Sequence, residues 1–163
     1  MKGLENLEIV HYKEIDSTNK EARKFLHRAP ICIVADTQTG GQGRFGKKFW
    51  SPRGGLYMTL VARADAFDCD IITGIIAERL LKVIKNGTIK GINDIMVAER
   101  KVAGILVEKT SDHFLIGIGI NLHQTEPVPD ELKDIVGFLN IDLDVDKVIK
   151  AILAQSEFRV TPL

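Results

Sequence analysis

The sequence predicts an α+β fold, a mixed and largely antiparallel sheet packed by helices. Three observations predict it. Strand-like apolar runs outnumber the three or four helical stretches. Most of those runs follow one another through short, turn-forming links, as hairpins do. At 163 residues the chain has the length of one domain with its own core, spanning 1–163.

Taken in order, Leu7 to Ile15 alternates as a strand does. Asp16-Ser17-Thr18-Asn19 breaks the alternation. Ser17 or Asp16 caps a helix over Lys20 to His27, with Ala22, Phe25 and Leu26 inward. Capping alone would account for the Ser-Thr-Asn run. Pro30 ends the link, and Ile31 to Ala35 is a buried strand. After a basic glycine loop, Leu56 to Ala64 is a strand rich in β-formers. Asp70 to Lys85 is the clearest helix: Ile71, Ile72, Ile75, Ile76, Leu80, Val83 and Ile84 mark a broad apolar face, and Asn86-Gly87 stops it. Thr88 to Val97 holds two short strands around a polar pair, and Ala98-Glu99-Arg100 is a turn. Lys101 to Glu108 and His113 to Asn121 make a hairpin across Ser111-Asp112. Gly117 and Gly119 share one face of that second strand, which leaves room for a ligand or for a closely packed neighbour. Beyond Pro127-Val128-Pro129, Asp130 caps a short helix to about Phe138. Asp144 to about Phe158 is a last helix, with Val145, Val148, Ile149 and Ile152 inward.

Composition excludes several classes. Lys plus Arg and Asp plus Glu each number 22, so no overall field favours nucleic acid or a membrane. No apolar run reaches spanning length, and the N-terminus is not a signal peptide. Cys32 and Cys69 form no Cys-x-x-Cys pair and read as free thiols of a reducing cytoplasm. Four histidines without metal spacing give no structural zinc site.

The chemistry concentrates in Gly40 to Trp50, which holds four glycines, three cations and three aromatics. Such a loop brings backbone N–H groups onto an anion, with Arg44, Lys47 and Lys48 adding charge. Gly41 to Gly46 spells a dinucleotide-binding string, but Ser51-Pro52 and Gly54-Gly55 follow where a helix should start. Gly41 to Lys47 spells most of a P-loop, but Lys48 stands where Ser or Thr should hold magnesium.

Four separated motifs line up with one family: Ser17-Thr18-Asn19; Ala35 to Gln38 running into Gly41 to Lys48, then Ser51-Pro52 and Gly55-Leu56-Tyr57; Lys90 to Ile95 followed by Lys101-Val102-Ala103-Gly104-Ile105-Leu106-Val107-Glu108; and Gly117 to Asn121. From Ile9 to Asn121 the chain resembles the catalytic domain of biotin protein ligases, a fold shared with class II aminoacyl-tRNA synthetases. The resemblance implies an ATP-dependent enzyme, with Mg2+ accompanying the nucleotide. Biotin is activated as biotinyl-5′-AMP, then transferred to a lysine of a biotin carboxyl carrier domain. It implies Lys101 and Arg44 as catalytic. It places Ser17, Thr18, Asn19, Gln38, Gly41, Gln42, Gly43, Arg44, Lys101, Gly104 and Gly117 around biotin. It places Arg44, Lys47, Lys48, Phe49, Trp50, Asn93, Asp94 and Asn121 around ATP. The chemistry of the residues agrees. Joining a carboxylate to a triphosphate needs fixed positive charge, and a neutral ureido ring needs both donors and acceptors. A water-sensitive mixed anhydride calls for a loop that closes over it.

The chain departs from the pattern in places. Gly91-Ile92 replaces Trp-Pro, Gln42 replaces the first loop arginine, and Phe49-Trp50 shifts the loop tryptophan by one. A minimal form is expected, without a preceding winged helix or a following β-barrel. It would be cytoplasmic, contact no nucleic acid, and dimerise as relatives do through edge strands. Two other readings remain: lipoate or octanoyl transfer on the same fold, and a module that only binds biotin or its adenylate.

Overall fold

In the computed structural model, which describes residues 6–63, 68–110 and 112–153, seven strands make one sheet. They are β1 (Glu8–Ile15), β2 (Ile31–Gln38), β3 (Leu56–Arg63), β4 (Thr88–Lys90), β5 (Asp94–Val97), β6 (Arg100–Lys109) and β7 (His113–Ile120). Three α-helices accompany them: α1 (Thr18–Ala22), α2 (Cys69–Leu80) and α3 (Val145–Leu153). The sheet order is β1-β2-β3-β7-β6-β5-β4. β1 and β2 are parallel, joined by a crossover through α1, because a tight hairpin cannot join parallel neighbours. The other pairings are antiparallel, so the mixed, largely antiparallel sheet is as expected.

Alternation along the strands gives the sheet two different faces. On one, Cys32, Val34, Met58, Leu60, Ile105, Phe114, Ile116, Ile118 and Ile120 join Ile76 and Leu80 of α2 and Val148, Ile149 and Ile152 of α3 in one core cluster. Each fully buried aliphatic there contributes roughly 1.5–3 kcal/mol. Burial without a counter-charge pushes the Cys32 thiol up to about 12, which keeps it neutral and inert. On the other face, Ile31, Ile33, Val61 and Leu115 pack under Ala22, Phe25 and Leu26. The rest of that second face is nearly bare of aliphatic side chains.

Several elements differ from expectation. The first helix is one α-turn capped by Ser17, whose hydroxyl accepts from Lys20 N, and it continues as a 3-10 stretch from Arg23 to Arg28. The second helix begins under an Asp68 cap and ends at Leu80. Turns then carry Ile84 into the core, while Ile71 is 48% exposed and lies off the apolar face. No helix runs from Asp130 to Phe138: there is a 3-10 turn at Asp130–Leu132, which Asp130 does not cap. Tertiary pairing overrides helix propensity here. Lys101 N donates to Ile135 O at 2.7 Å, and Gly137 N donates to Lys101 O at 2.9 Å, which holds this segment extended beside β6. The last helix is described to Leu153; its expected continuation to Phe158, like Ala64 of the third strand, lies outside the described residues. Among the described residues no helix is long and apolar enough to cross a membrane.

Candidate active site

The bare part of the second face is a product of register. Tyr57 pairs with Gly119 and Gly119 with Gly104, while Thr59 pairs with Gly117 and Gly117 with Leu106. Two rows across three strands thus have glycine at their centre. A Cβ on Gly117 would stand 2.3 Å from Asn19 Oδ1, and one on Gly119 would stand 2.5 Å from the Phe49 ring. The two glycines are therefore needed for close approach: they let Asn19 and Phe49 lie flat on the sheet. Asn19 and Phe49 in turn are walls of a small cleft that opens to solvent, with Gln38 and Lys101 among its other lining residues.

A β-bulge brings the central cation into this cleft. Ile95 pairs with Ala103, but Met96 pairs with Lys101, so Val102 is the extra residue of β6. Val102 and Ala103 both turn into the helix-side core. Lys101 emerges on the glycine side, its Cε 3.2 Å from where a Gly104 Cβ would be. Its Nζ lies 2.9 Å from Asp94 Oδ1 and 5.4 Å from the Phe49 ring centroid. The ammonium approaches Asp94 Oδ1 off the hydrogen-bonding direction, so this buried oxygen is ion-paired without a hydrogen bond. Asn121, itself buried, donates from Nδ2 to Lys101 O at 3.2 Å. The backbone of Lys101 is thus clamped by Asn121 and by Ile135 and Gly137.

A polar floor faces the lysine. Gln38 Oε1 accepts from Thr18 N at 2.8 Å, and Gln38 Nε2 donates to Ser51 Oγ at 2.9 Å. Thr59 Oγ1 lies 2.8 Å from Thr18 Oγ1 and 2.5 Å from Asn19 Oδ1. Asn19 Nδ2 donates to Glu108 Oε1 at 2.8 Å, and Arg23 pairs with Glu108 Oε2 at 2.5 Å. Behind Phe49, burial pushes the Tyr57 phenol upward, so it stays an O–H donor, bonded to Pro52 O at 2.6 Å.

The glycine loop is a hairpin over the cleft. Gln38 bridges Ser51 and Gln42 bridges Lys48. Part of the amide set expected to converge on an anion is spent in this framework: Gly40 N donates to Asp16 O, Gly43 N to Lys47 O and Phe49 N to Gly41 O. Phe45 and Gly46 at the tip have φ of 60° and 72°, with Phe45 87% exposed.

Of the residues singled out from sequence, Ser17, Thr18, Asn19, Gln38, Gln42, Gly43, Phe49, Asn93, Lys101, Gly104 and Gly117 all line the cleft. Asp94 joins through Lys101, and Asn121 through the backbone of Lys101. Arg44 is elsewhere, stacked on Phe45 and 3.5 Å from Asp70 at the start of α2. Gly41, Lys48 and Trp50 border a second groove behind the hairpin, with Trp50 edge-on to Phe138; Lys47 is exposed. Sequence reasoning missed Thr59, the link from Asn19 to Glu108, the Val102 bulge and the strap of residues 135–137. A lone threonine inside the apolar run Leu56 to Ala62 was a readable signal for the first. The Asn19–Glu108 link and the strap depend on pairings distant in the chain, and the bulge on the register between β5 and β6.

Residues 12–124 match the model of the biotin/lipoate A/B protein ligase family. The bifunctional ligase/repressor BirA of Bacillus spizizenii is 34% identical over 81% of this chain, and BirA of Escherichia coli is 36% identical over 66%. The chain spans about half or less of the length of these curated relatives, 46% and 38%. The biotin protein ligase of Aquifex aeolicus, solved in complex with biotin and ATP, superposes with a TM-score of 0.74 at 30% identity. That match covers 90% of this chain and 67% of that one.

Proposed function

The chain belongs to the biotin/lipoate A/B protein ligase family, and from that membership we propose that it joins biotin to ATP as biotinyl-5′-AMP and passes the biotinyl group to a lysine of a biotin carboxyl carrier domain. The observation that carries this reading is Lys101, bulged onto a glycine-bared floor and facing the polar set of Thr18, Asn19 and Gln38. The ureido ring of biotin lies on that floor, and its carboxylate reaches the Lys101 ammonium. The nucleotide enters beside Asn93 and Asp94. A carboxylate oxygen attacks the α-phosphorus, the bond to the bridging oxygen breaks, and pyrophosphate leaves. Lys101, a compact point charge, shifts from Asp94 to the oxygens on which charge accumulates. In the second step a neutral lysine amine attacks the acyl carbon, loses a proton, and AMP departs.

The hairpin supplies the remaining charge. The Arg44–Asp70 pair is exposed, 30% and 70%, and such pairs are worth roughly 0–1 kcal/mol. Closure therefore costs little when Arg44 leaves Asp70 for the adenylate, with Lys47 and Lys48 following toward the phosphates. Mg2+ arrives with ATP. Asp94, whose Oδ1 is paired with Lys101 in this structure, would offer the cation a carboxylate oxygen once Lys101 moves to the reacting oxygens. A hydrogen-bonding floor suits a ureido ring better than a dithiolane, and the A. aeolicus structure holds biotin and ATP; both observations favour biotin over lipoate. Cytoplasmic action agrees with two free thiols, and pairing of two copies would use the sheet-edge strands β1 and β4. The test is biotin-dependent pyrophosphate release and transfer of labelled biotin to a carrier domain by the purified chain. Biotin binding without release would leave a binding module.

A further inference from the structure

The bulge that turns Lys101 into the cleft leaves two successive carbonyls of β6 facing the same way, where a regular strand alternates them. Val102 O accepts from Asn121 N at 2.7 Å. Lys101 O accepts from Gly137 N at 2.9 Å and from Asn121 Nδ2 at 3.2 Å. Both carbonyls therefore lie on the β7 side, away from β5. We infer that Asn121 is a positioning residue whose side chain holds the bulge, and with it the Lys101 ammonium, in the cleft; this rests on the ligase reading of the site.

Asn121 stands where the ladder runs out. β7 ends at Ile120, which pairs with Ala103, and no residue of β7 is left to pair with Lys101. Asn121 bridges the gap with two donors, its main-chain N–H for Val102 and its side-chain amide for Lys101. Its own carbonyl accepts from Leu139 N at 3.0 Å, so it also fastens the strap that carries Gly137. The main-chain bonds are open to any residue but proline. The Nδ2 bond is not: an aspartate carboxylate only accepts, and a serine hydroxyl sits one bond shorter.

Asn121 is 5% exposed, so water does not stand in for its amide. Without Nδ2, Lys101 O keeps Gly137 N alone, and the register relaxes toward plain alternation, which swings Lys101 toward the helices. A shift of about 1 Å in a reacting group can cost on the order of 100-fold in rate. This role differs from a nucleotide contact, which is what the family resemblance implies for Asn121. A nucleotide contact acts whatever side chain stands at position 101. A positioning residue acts at the chemical step, and only through the Lys101 side chain.

A double-mutant cycle on Asn121→Ala and Lys101→Ala separates the two roles. The rate of biotin-dependent pyrophosphate release is measured at saturating biotin and ATP, and melting temperature reports folding. With Lys101 present, Asn121→Ala should slow release about 10-fold, the scale of one lost hydrogen bond to a buried group. In the Lys101→Ala background the same change should alter the rate less than about 2-fold, because nothing is left to position. Asn121→Asp, which keeps the shape and loses the Nδ2 donor, should give the same pattern. An equal factor in both backgrounds overturns the assignment, since Asn121 would then act through the nucleotide or the fold. An unchanged rate with Lys101 present overturns it as well. Failure of both Asn121 variants to fold does so too, making the residue purely structural. No pyrophosphate release by wild type, seen before any variant is made, overturns the ligase reading and this assignment with it.

Discussion

The two faces of the sheet carry opposite chemistry on the same strands. In β7, Ile116, Ile118 and Ile120 enter the helix-covered core, while the alternate positions Gly117 and Gly119 floor the cleft. One face works by filling volume and the other by leaving it empty. Damage should therefore appear as lost stability on the first face and as lost binding or turnover on the second.

The largest effect should come from the filled face. Ile116, 1% exposed, sits beside Gly117 but points away from the cleft. Ile116→Ala should cost roughly 2–5 kcal/mol of unfolding free energy, through lost transfer energy and a cavity. A denaturant titration reads this. The biotin dissociation constant of the folded fraction should not move. If binding fell as much as stability, the two faces would be energetically one.

Lys101→Ala is the counterpart on the bare face. Adenylate formation should fall at least ~100-fold, about 2.7 kcal/mol in barrier, the loss typical of removing one fixed charge-stabilising donor. The fold should survive, because the backbone clamp of Lys101 needs no side chain, but the melting temperature should fall, because Asp94 Oδ1 is left buried without its ion-pair partner. Biotin-dependent pyrophosphate release checks it. Near-normal release would remove Lys101 from the chemistry.

The two faces were unequally legible in the sequence. The apolar alternation of Phe114 to Ile120 shows the filled face directly, since burial selects branched side chains at period two, and the unbroken run Ile31 to Val34 shows a strand buried on both faces. The bare face could be read only where residue type is unusual, as at Gly117, Gly119 and Ser17-Thr18-Asn19. The side on which Lys101 emerges could not be read. Strict alternation places it with Ala103, facing the helices; the Val102 bulge reverses that, and it is set by pairing with β5. The parallel β1–β2 pair and the extended strap at residues 135–137 were hidden for the same reason, being consequences of tertiary contact.

Gly117→Ala sharpens the comparison, because it adds one methyl to the bare face. The new Cβ would stand 2.3 Å from Asn19 Oδ1, and Asn19 is held by Thr59 and Glu108, so it cannot swing aside freely. Displacing it unmakes a buried hydrogen bond and should weaken biotin about 10-fold. Gly119→Ala meets the Phe49 ring instead, on a hairpin that can lift, and should cost less. Calorimetric titration of both variants gives the order; the reverse order would mean that Phe49, not Asn19, is the rigid wall.

Gln42→Arg should produce the smallest change, and in the opposite direction. Gln42 is exposed at the cleft rim, and no buried neighbour depends on it. An arginine there adds one positive charge near the biotin carboxylate, in water's high dielectric. Such a term is worth at most about 1 kcal/mol, so biotin should bind a few-fold tighter at low salt. The gain should shrink as ionic strength rises and the Debye length falls to about 3 Å at 1 M salt. A gain that survives high salt would mean that the arginine is drawn into the cleft and shielded from solvent. The rim would then belong to the floor's chemistry, and the boundary between the bare face and the hairpin above it would have to be moved outward.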